Sequence, residues 1–182
     1  MTQGRLIAVV GPSGVGKDSV MAGLHRAMPH LHLARRVITR APDLGGEDYD
    51  AVSTPQFQAL VTQGAFAVHW RAHKLHYGVP ATVTSHLSEG TDCLVNFSRT
   101  SLTQGAGVFP HFIVLHITAS PETLASRLAA RGRETGEEIA KRLEQAEKPL
   151  PAGLRVIHLA NDGPLPQTVA RGMALLQPES AS

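Results

Sequence analysis

The stretch "RLIAVVGPSGVGKDSVMAGL", residues 5–24, decides the fold of this chain. Its first residues form a short, nearly continuous apolar run, the kind that is buried on both faces of a parallel sheet. After a glycine-rich turn, Val20, Met21, Leu24 and Met28 recur at helical spacing, and Pro29 ends the run. Strand, glycine loop and helix in that order make a phosphate loop of the pattern G-x-x-x-x-G-K, running from Gly11 through Pro12, Ser13, Gly14, Val15 and Gly16 to Lys17. The glycines let the backbone turn tightly so that its N–H groups converge on phosphate oxygens, and the helix adds its positive end. Lys17 reaches the β- and γ-phosphates. The next residue breaks the pattern: Asp18 stands where Ser or Thr is usual, and Ser19 follows one step late.

The chain of 182 residues fits a single domain, 1–182. A composition of 42% hydrophobic and 18% charged residues is that of a globular protein with a full core, and excludes a disordered or collagenous chain. A net charge of +2 confines any basic feature to a local patch, which argues against nucleic-acid binding. The single cysteine, Cys93, excludes an intramolecular disulfide framework and fits a buried strand residue in a reducing compartment. No apolar run approaches the ~20 residues that span a bilayer. The N-terminal run is too short for a signal peptide, so a cytoplasmic protein without membrane contact is expected.

Beyond the loop, "LHLARRVITR" reads as a second strand, and the polar, acidic loop "APDLGGEDYD" follows it. In "STPQFQALVTQG" Thr54 is the expected N-cap, Pro55 the first helical residue and Gly64 the stop. "AFAVHWRAHKLHYGV" alternates as two short strands turning near 72–74, and 80–90 reads as a helix. "DCLVNF" and "FIVLHI" are buried-type strands. Ser120 and Pro121 open a further helix, and Thr135 with Glu138 is in capping-box register for another. "LRVIHLAND" is a last strand before a closing helix marked by Val169, Met173 and Leu176, and the tail "QPESAS" is expected to be disordered. Alternating apolar strands and helices predict an α/β protein of three layers with a central parallel sheet. Residues 36–90 depart from the alternation and predict an inserted lobe.

The order of these pieces resembles the guanylate-kinase fold among P-loop kinases. Within that fold "GPSGVGKDS", "ITR", "YGV", "LVNFSR" and "RGRE" most resemble the ribose 1,5-bisphosphate phosphokinases, which make 5-phosphoribosyl 1-diphosphate from ATP and ribose 1,5-bisphosphate. The resemblance implies ATP with Mg2+, a phosphorylated sugar as partner, an acceptor-binding lobe at 36–90 and an arginine-rich lid at 131–147. Compared with guanylate kinases, the acceptor loop is short and has Asp43 where a second arginine falls. The guanine-reading acid aligns with Val68, and Asn96 and Ser98 replace aspartates. A site that discriminates by pairing with a base loses that discrimination when its pairing groups go. In their place "VHWRAHKLHYG" brings His69, Arg71, His73, Lys74 and His76 into the lobe that holds Arg36 and Arg40.

The resemblance assigns Arg40 and Tyr77 to the acceptor phosphate; Arg36, Lys74, His76, Asn96 and Arg99 are the further acceptor candidates. Arg131 and Arg142 match lid arginines that act on the transferring phosphoryl group beside Lys17; Arg127 and Arg133 are further candidates. Asn161 matches an adenine-side contact. Asp18 falls at the magnesium-ligand position, with Ser19 left to the α-phosphate. Other readings stay open at this point: a nucleoside monophosphate kinase, a binding module without catalysis, a solvated basic hairpin for the histidines, and a charged helix surface for the arginines. A GTPase is disfavoured because no N-K-x-D motif occurs, and a gluconate-type kinase because no base for a hydroxyl acceptor can be placed. The sequence carries no signal for oligomeric state.

Overall fold

The computed structural model describes residues 2–42 and 46–178. Strand β1 (Leu6–Val10) leads through the glycine loop into helix α1 (Lys17–Ala27), and β2 (His32–Leu33) follows. All five residues of β1 are buried, because sheet neighbours flank it and helices or a second sheet cover both its faces. The sequence run expected as one strand then divides. Beyond β2 the chain leaves the first sheet, and Val37–Ile38 form β3 of another. Strand pairing depends on distant partners, so an unbroken apolar pattern does not reveal such a switch.

The second sheet is completed by β4 (Asp50–Ala51), β5 (Phe66–Ala72) and β6 (Leu75–Pro80), with helix α2 (Thr54–Thr62) between β4 and β5. Its order is β4-β3-β6-β5. The N-cap of α2 is Ser53, one residue before the expected Thr54. The Gln56 N–H donates to Ser53 Oγ at 3.2 Å, and the Ser53 N–H donates to Gln56 Oε1 at 2.8 Å. Of two adjacent hydroxyls, the one with Gln three residues on closes the reciprocal box.

Helix α3 (Thr82–Ser88) returns the chain to the first sheet as β7 (Cys93–Asn96). A 3-10 turn (Arg99–Ser101) and helix α4 (Leu102–Val108) precede β8 (Phe112–Thr118). Helix α4 has a weak helical sequence, "LTQGAGV", and is fixed by packing: a Cβ on Gly105 would stand 2.7 Å from the rings of both Phe97 and Phe112. Helices α5 (Pro121–Arg131) and α6 (Gly136–Ala146), strand β9 (Val156–Ala160) and helix α7 (Leu165–Leu176) finish the fold. The first sheet is wholly parallel in the order β2-β7-β1-β8-β9. One face packs Ile7, Val9 and Leu115 against α1 and α7. The other packs Leu6, Ala8 and Val95 against Trp70, Tyr77 and Val79 of the second sheet. Each fully buried Val, Leu or Ile contributes about 1.5–3 kcal/mol. The expected disorder of the tail concerns mainly residues 179–182, and Asp43 lies in 43–45; both lie outside the described residues. Among the described residues no helix is long and apolar enough to cross a membrane.

His116 is an unusual occupant of this sheet. It pairs in register with Val10 of β1 and His158 of β9, its ring centroid is 5.3 Å from that of His158, and neither ring nitrogen has a hydrogen-bond partner among the described residues. Burial, His158 and Arg99 together push its pKa from 6.5 down to about 4. Between these values the unfolded chain binds the proton and the folded protein does not, so stability falls as pH drops from 6.5 toward 4. Discounted for the solvent that reaches the ring, the loss is about 1–2 kcal/mol. Urea midpoints at pH 7 and pH 4.5 are expected to differ less for His116→Leu than for the wild type; equal acid sensitivity would show that His116 carries none of it.

Candidate active site

The phosphate loop is shaped by two left-handed glycines, Gly14 at φ 85° and Gly16 at φ 84°, a conformation that side chains with a Cβ avoid. Between them Val15 is wholly buried, anchoring the loop by its side chain. Its carbonyl accepts from Asn161 Nδ2 at 2.8 Å and from Arg127 Nη1 at 3.2 Å. Arg127 Nη2 also donates to the Asn161 carbonyl at 2.7 Å, and Thr168 Oγ1 donates to Asn161 Oδ1 at 2.7 Å. With this carbonyl bound on the protein side, loop N–H groups are left for an anion, as in phosphate nests. Asn161 is 5% exposed and engaged at both ends of its amide. It braces the loop, where the sequence reading placed an adenine contact.

Helix α1 begins at Lys17, so Lys17, Asp18 and Ser19 form its first turn and their N–H groups have no intrahelical partner. Desolvation lowers the pKa of Lys17, and Arg36 adds to the shift. Asp18 moves the opposite way: burial raises its pKa, although Lys17 opposes this. Asn96, at the C-terminal end of β7, is 4% exposed; its Nδ2 lies 3.4 Å from Asp18 Oδ1, and its own Oδ1 has no hydrogen-bond partner among the described residues.

Opposite the loop stand Arg36, Arg40 and Tyr77. Arg36 is 4% exposed and gives two hydrogen bonds to Glu47, Nε to Oε1 at 2.7 Å and Nη2 to Oε2 at 2.6 Å. Its guanidinium carbon lies 4.8 Å from the ring centroid of Tyr77 and 5.9 Å from that of Trp70. Trp70 is fixed in turn by a 2.9 Å hydrogen bond from Nε1 to Ser98 Oγ. Arg40 places Nη2 3.5 Å from the Tyr77 hydroxyl and lies over the Tyr49 ring, whose hydroxyl donates to the Ala41 carbonyl. Val68, the residue aligned with a base-reading acid, is 3% exposed and paired with Val79. It offers no polar group.

Three residues expected in the acceptor set stand elsewhere. Lys74 is exposed on the β5–β6 turn, where it and His73 adopt φ of 64° and 50°. His76 neighbours Tyr77 in sequence, so strand alternation sends its side chain to the other face, where its ring centroid lies 5.3 Å from that of Phe57. Arg99 donates to the carbonyls of Gln145 and Lys148 at 2.9 and 2.5 Å, tying down the C-terminal end of α6. The α5–α6 segment turns at Gly132 and restarts with Thr135 and Glu138 capping each other. Arg142 pairs with Glu134 at 2.7 Å and donates to Ser13 of the phosphate loop. Arg131 is exposed and makes no hydrogen bond or ion pair among the described residues; Arg133 is likewise exposed.

Glu47 and the bracing role of Arg127 were missed in the sequence. A signal for the first existed: the doublet Arg35–Arg36 faces the acidic run "EDYD", and Arg35 pairs with Asp48 and Asp50 as Arg36 pairs with Glu47.

The guanylate kinase family model matches residues 3–154. The chain is 51% identical over 180 residues to a ribose 1,5-bisphosphate phosphokinase PhnN of Ruegeria sp. (strain TM1040), covering 98% of this chain and 95% of that protein. It is 41% identical over 180 residues to a protein of the same name from Agrobacterium fabrum, with 97% and 98% coverage. Among solved structures, guanylate kinase from Anaplasma phagocytophilum superposes with a TM-score of 0.67 at 20% identity, covering 97% of this chain and 86% of that one. The phosphate loop, the parallel sheet and the full-length likeness together establish that the chain is a kinase of guanylate-kinase-like fold and belongs to the ribose 1,5-bisphosphate phosphokinase family.

Proposed function

We propose that the protein transfers the γ-phosphoryl group of ATP to ribose 1,5-bisphosphate, giving 5-phosphoribosyl 1-diphosphate and ADP. The observation that carries this reading is the cleft opposite the phosphate loop. Arg36, Arg40 and Tyr77 supply hydrogen-bond donors and positive charge there, whereas the position that would read a base is the buried Val68. Such a cleft suits an acceptor rich in phosphate and lacking a base. The nucleophile is an oxygen of a phosphate monoester, already anionic near neutral pH, so no strong general base is needed. The P–O bond to the acceptor forms as the bond to the ADP oxygen breaks. The protein's task is to hold two polyanions in line and to neutralise charge.

In this reading Lys17 and the loop N–H groups hold the donor, residues 36–90 form the acceptor lobe, and 131–147 form a lid. Arg142 already reaches Ser13 of the phosphate loop, and the exposed Arg131 needs only to turn inward with the lid. Lys74, His76 and Arg99 take no direct part in acceptor binding. Asp18 fits a divalent ion: it is a desolvated carboxylate beside the donor loop, next to the unpartnered amide oxygen of Asn96, and hard oxygens are what Mg2+ takes. Bound with ATP, Mg2+ supplies positive charge to the β- and γ-phosphate oxygens. ATP and sugar phosphates are cytoplasmic metabolites, so the reading includes a cytoplasmic place of action.

Coupled ADP release with a panel of acceptors tests the assignment. Turnover with ribose 1,5-bisphosphate and little with GMP is expected; the reverse preference would make the protein a nucleotide kinase. The Asp18 role has its own test. Asp18→Ser is expected to weaken binding of Mn2+, as a stand-in for Mg2+, to the ATP complex by about tenfold or more, read by electron paramagnetic resonance. Asp18→Ser with Asn96→Asp should recover part of the loss, and unchanged Mn2+ affinity in Asp18→Ser would remove Asp18 from the metal site.

A further inference from the structure

Glu47 lies on the loop that follows β3, and its side chain is 13% exposed. Its two oxygens accept from Nε and Nη2 of Arg36, a bidentate carboxylate–guanidinium contact in a largely dehydrated setting. A guanidinium carries five N–H donors in a fixed plane. Two go to Glu47, and the guanidinium carbon lies over the rings of Tyr77 and Trp70. Nη1 makes no hydrogen bond among the described residues, although the side chain is only 5% exposed. Nη1 is not among the buried polar atoms that lack a partner, so this edge of the guanidinium keeps contact with solvent and is open to an acceptor oxygen from a ligand.

We propose that Glu47 is a positioning residue of the acceptor site: by taking the Nε–Nη2 edge of Arg36 it turns the Nη1 side toward the phosphate monoester that receives the phosphoryl group. The proposal rests on the kinase reading above and adds to it a residue that makes no contact with the substrate itself. Three observations favour it over a purely structural ion pair. A buried pair kept for stability alone has no need of one partner with idle donors, since apolar residues of similar volume serve as well. Next, Arg36 stands close enough to the Lys17 ammonium to help lower its pKa, which puts it near the donor end of the cleft. Finally, the nearby Asp18 carboxylate is directed to Asn96 and makes no hydrogen bond to Arg36. The Nη1 side therefore meets no anion among the described residues and is open to one from a ligand. Arginine is required for this division of edges, because a lysine at the same place is a point charge and could not hold Glu47 and a phosphate in fixed directions at once.

The test is steady-state kinetics of the full chain with ATP and ribose 1,5-bisphosphate, comparing wild type, Glu47→Gln, Glu47→Asp, Arg36→Lys and the double variant Glu47→Gln with Arg36→Lys. Glu47→Gln is expected to raise the acceptor KM about tenfold or more while the ATP KM stays within about twofold. Glu47→Asp keeps the charge, preserves folding and withdraws the carboxylate by one methylene, so it provides the readout if the Gln variant does not fold; a smaller rise in the same KM is expected. In the Arg36→Lys background Glu47→Gln should add nothing, because its effect passes through the guanidinium. An acceptor KM unchanged in both Glu47 variants overturns the proposal, as does a Glu47→Gln effect that persists in full once Arg36 is Lys. Wild-type protein inert toward ribose 1,5-bisphosphate overturns the functional reading instead. The same comparison is then made with whichever monophosphate the acceptor panel shows to be phosphorylated, and it decides the role of Glu47 by the same criteria.

Discussion

Everything at the donor end depends on where one carbonyl points. The Val15 oxygen is held by Asn161 and Arg127, residues brought to it by the end of β9 and by α5. Loop N–H groups can converge on a phosphate only if carbonyls face the other way, and a carbonyl facing the protein needs a donor there. The side chain of Asn161 is fixed by Thr168 from α7, so the loop geometry is tied to the closing helix of the chain. A loop that reads as a local motif is thus held by contacts more than one hundred residues away in sequence.

A second constraint is charge. The cleft assembles Lys17, Arg36 and Arg40 before any phosphate arrives; burial is the main cause of the lowered pKa of Lys17, and repulsion from Arg36 and, less, Arg40 adds to it. Glu47 offsets part of it and leaves the guanidinium of Arg36 permanently charged, because arginine does not lose its proton in proteins. Stacking on Tyr77 and Trp70 adds a cation–π term of about 0.5–2 kcal/mol. The tryptophan is pinned by Ser98, which thereby supports the aromatic floor beneath the arginine.

The strand–loop–helix start was legible because its signals are local: an apolar run, glycines at fixed spacing and a helical repeat. The Thr135–Glu138 cap was legible for the same reason. The division of "LHLARRVITR" between two sheets and the packing-driven helix α4 were not, since both are decided by distant partners. At the site, Arg36 and Arg40 both lie against Tyr77, and Asn96 lies against Asp18 of the phosphate loop. His76 and Arg99 stand apart: the first is turned away by strand alternation, and the second is committed to the carbonyls at the end of α6. The bracing role of Asn161 was not legible, because nothing in "LAND" shows that a buried threonine and a loop carbonyl engage its amide. Glu47 could have been suspected from the facing runs "RR" and "EDYD", but only the folded loop reveals which acid meets which arginine.

The carboxylate at Asp18 is explained by its neighbour. Two like charges about 4 Å apart repel by about 4 kcal/mol at an effective dielectric of 20, so an aspartate on the phosphate loop and another at the end of β7 could not both stay ionised. Asn96 occupies that strand end as a neutral amide within 3.4 Å of Asp18, and removes the conflict. Even so, burial raises the Asp18 pKa against the pull of Lys17. Dehydration, and not a lack of neighbouring cations, is what disfavours the ionised form. Relocating one negative charge from strand to loop keeps its number near the phosphates constant and brings it onto the first turn of α1. In the proposed reading the same turn would offer backbone N–H groups to the phosphates and a carboxylate to the ion that accompanies them.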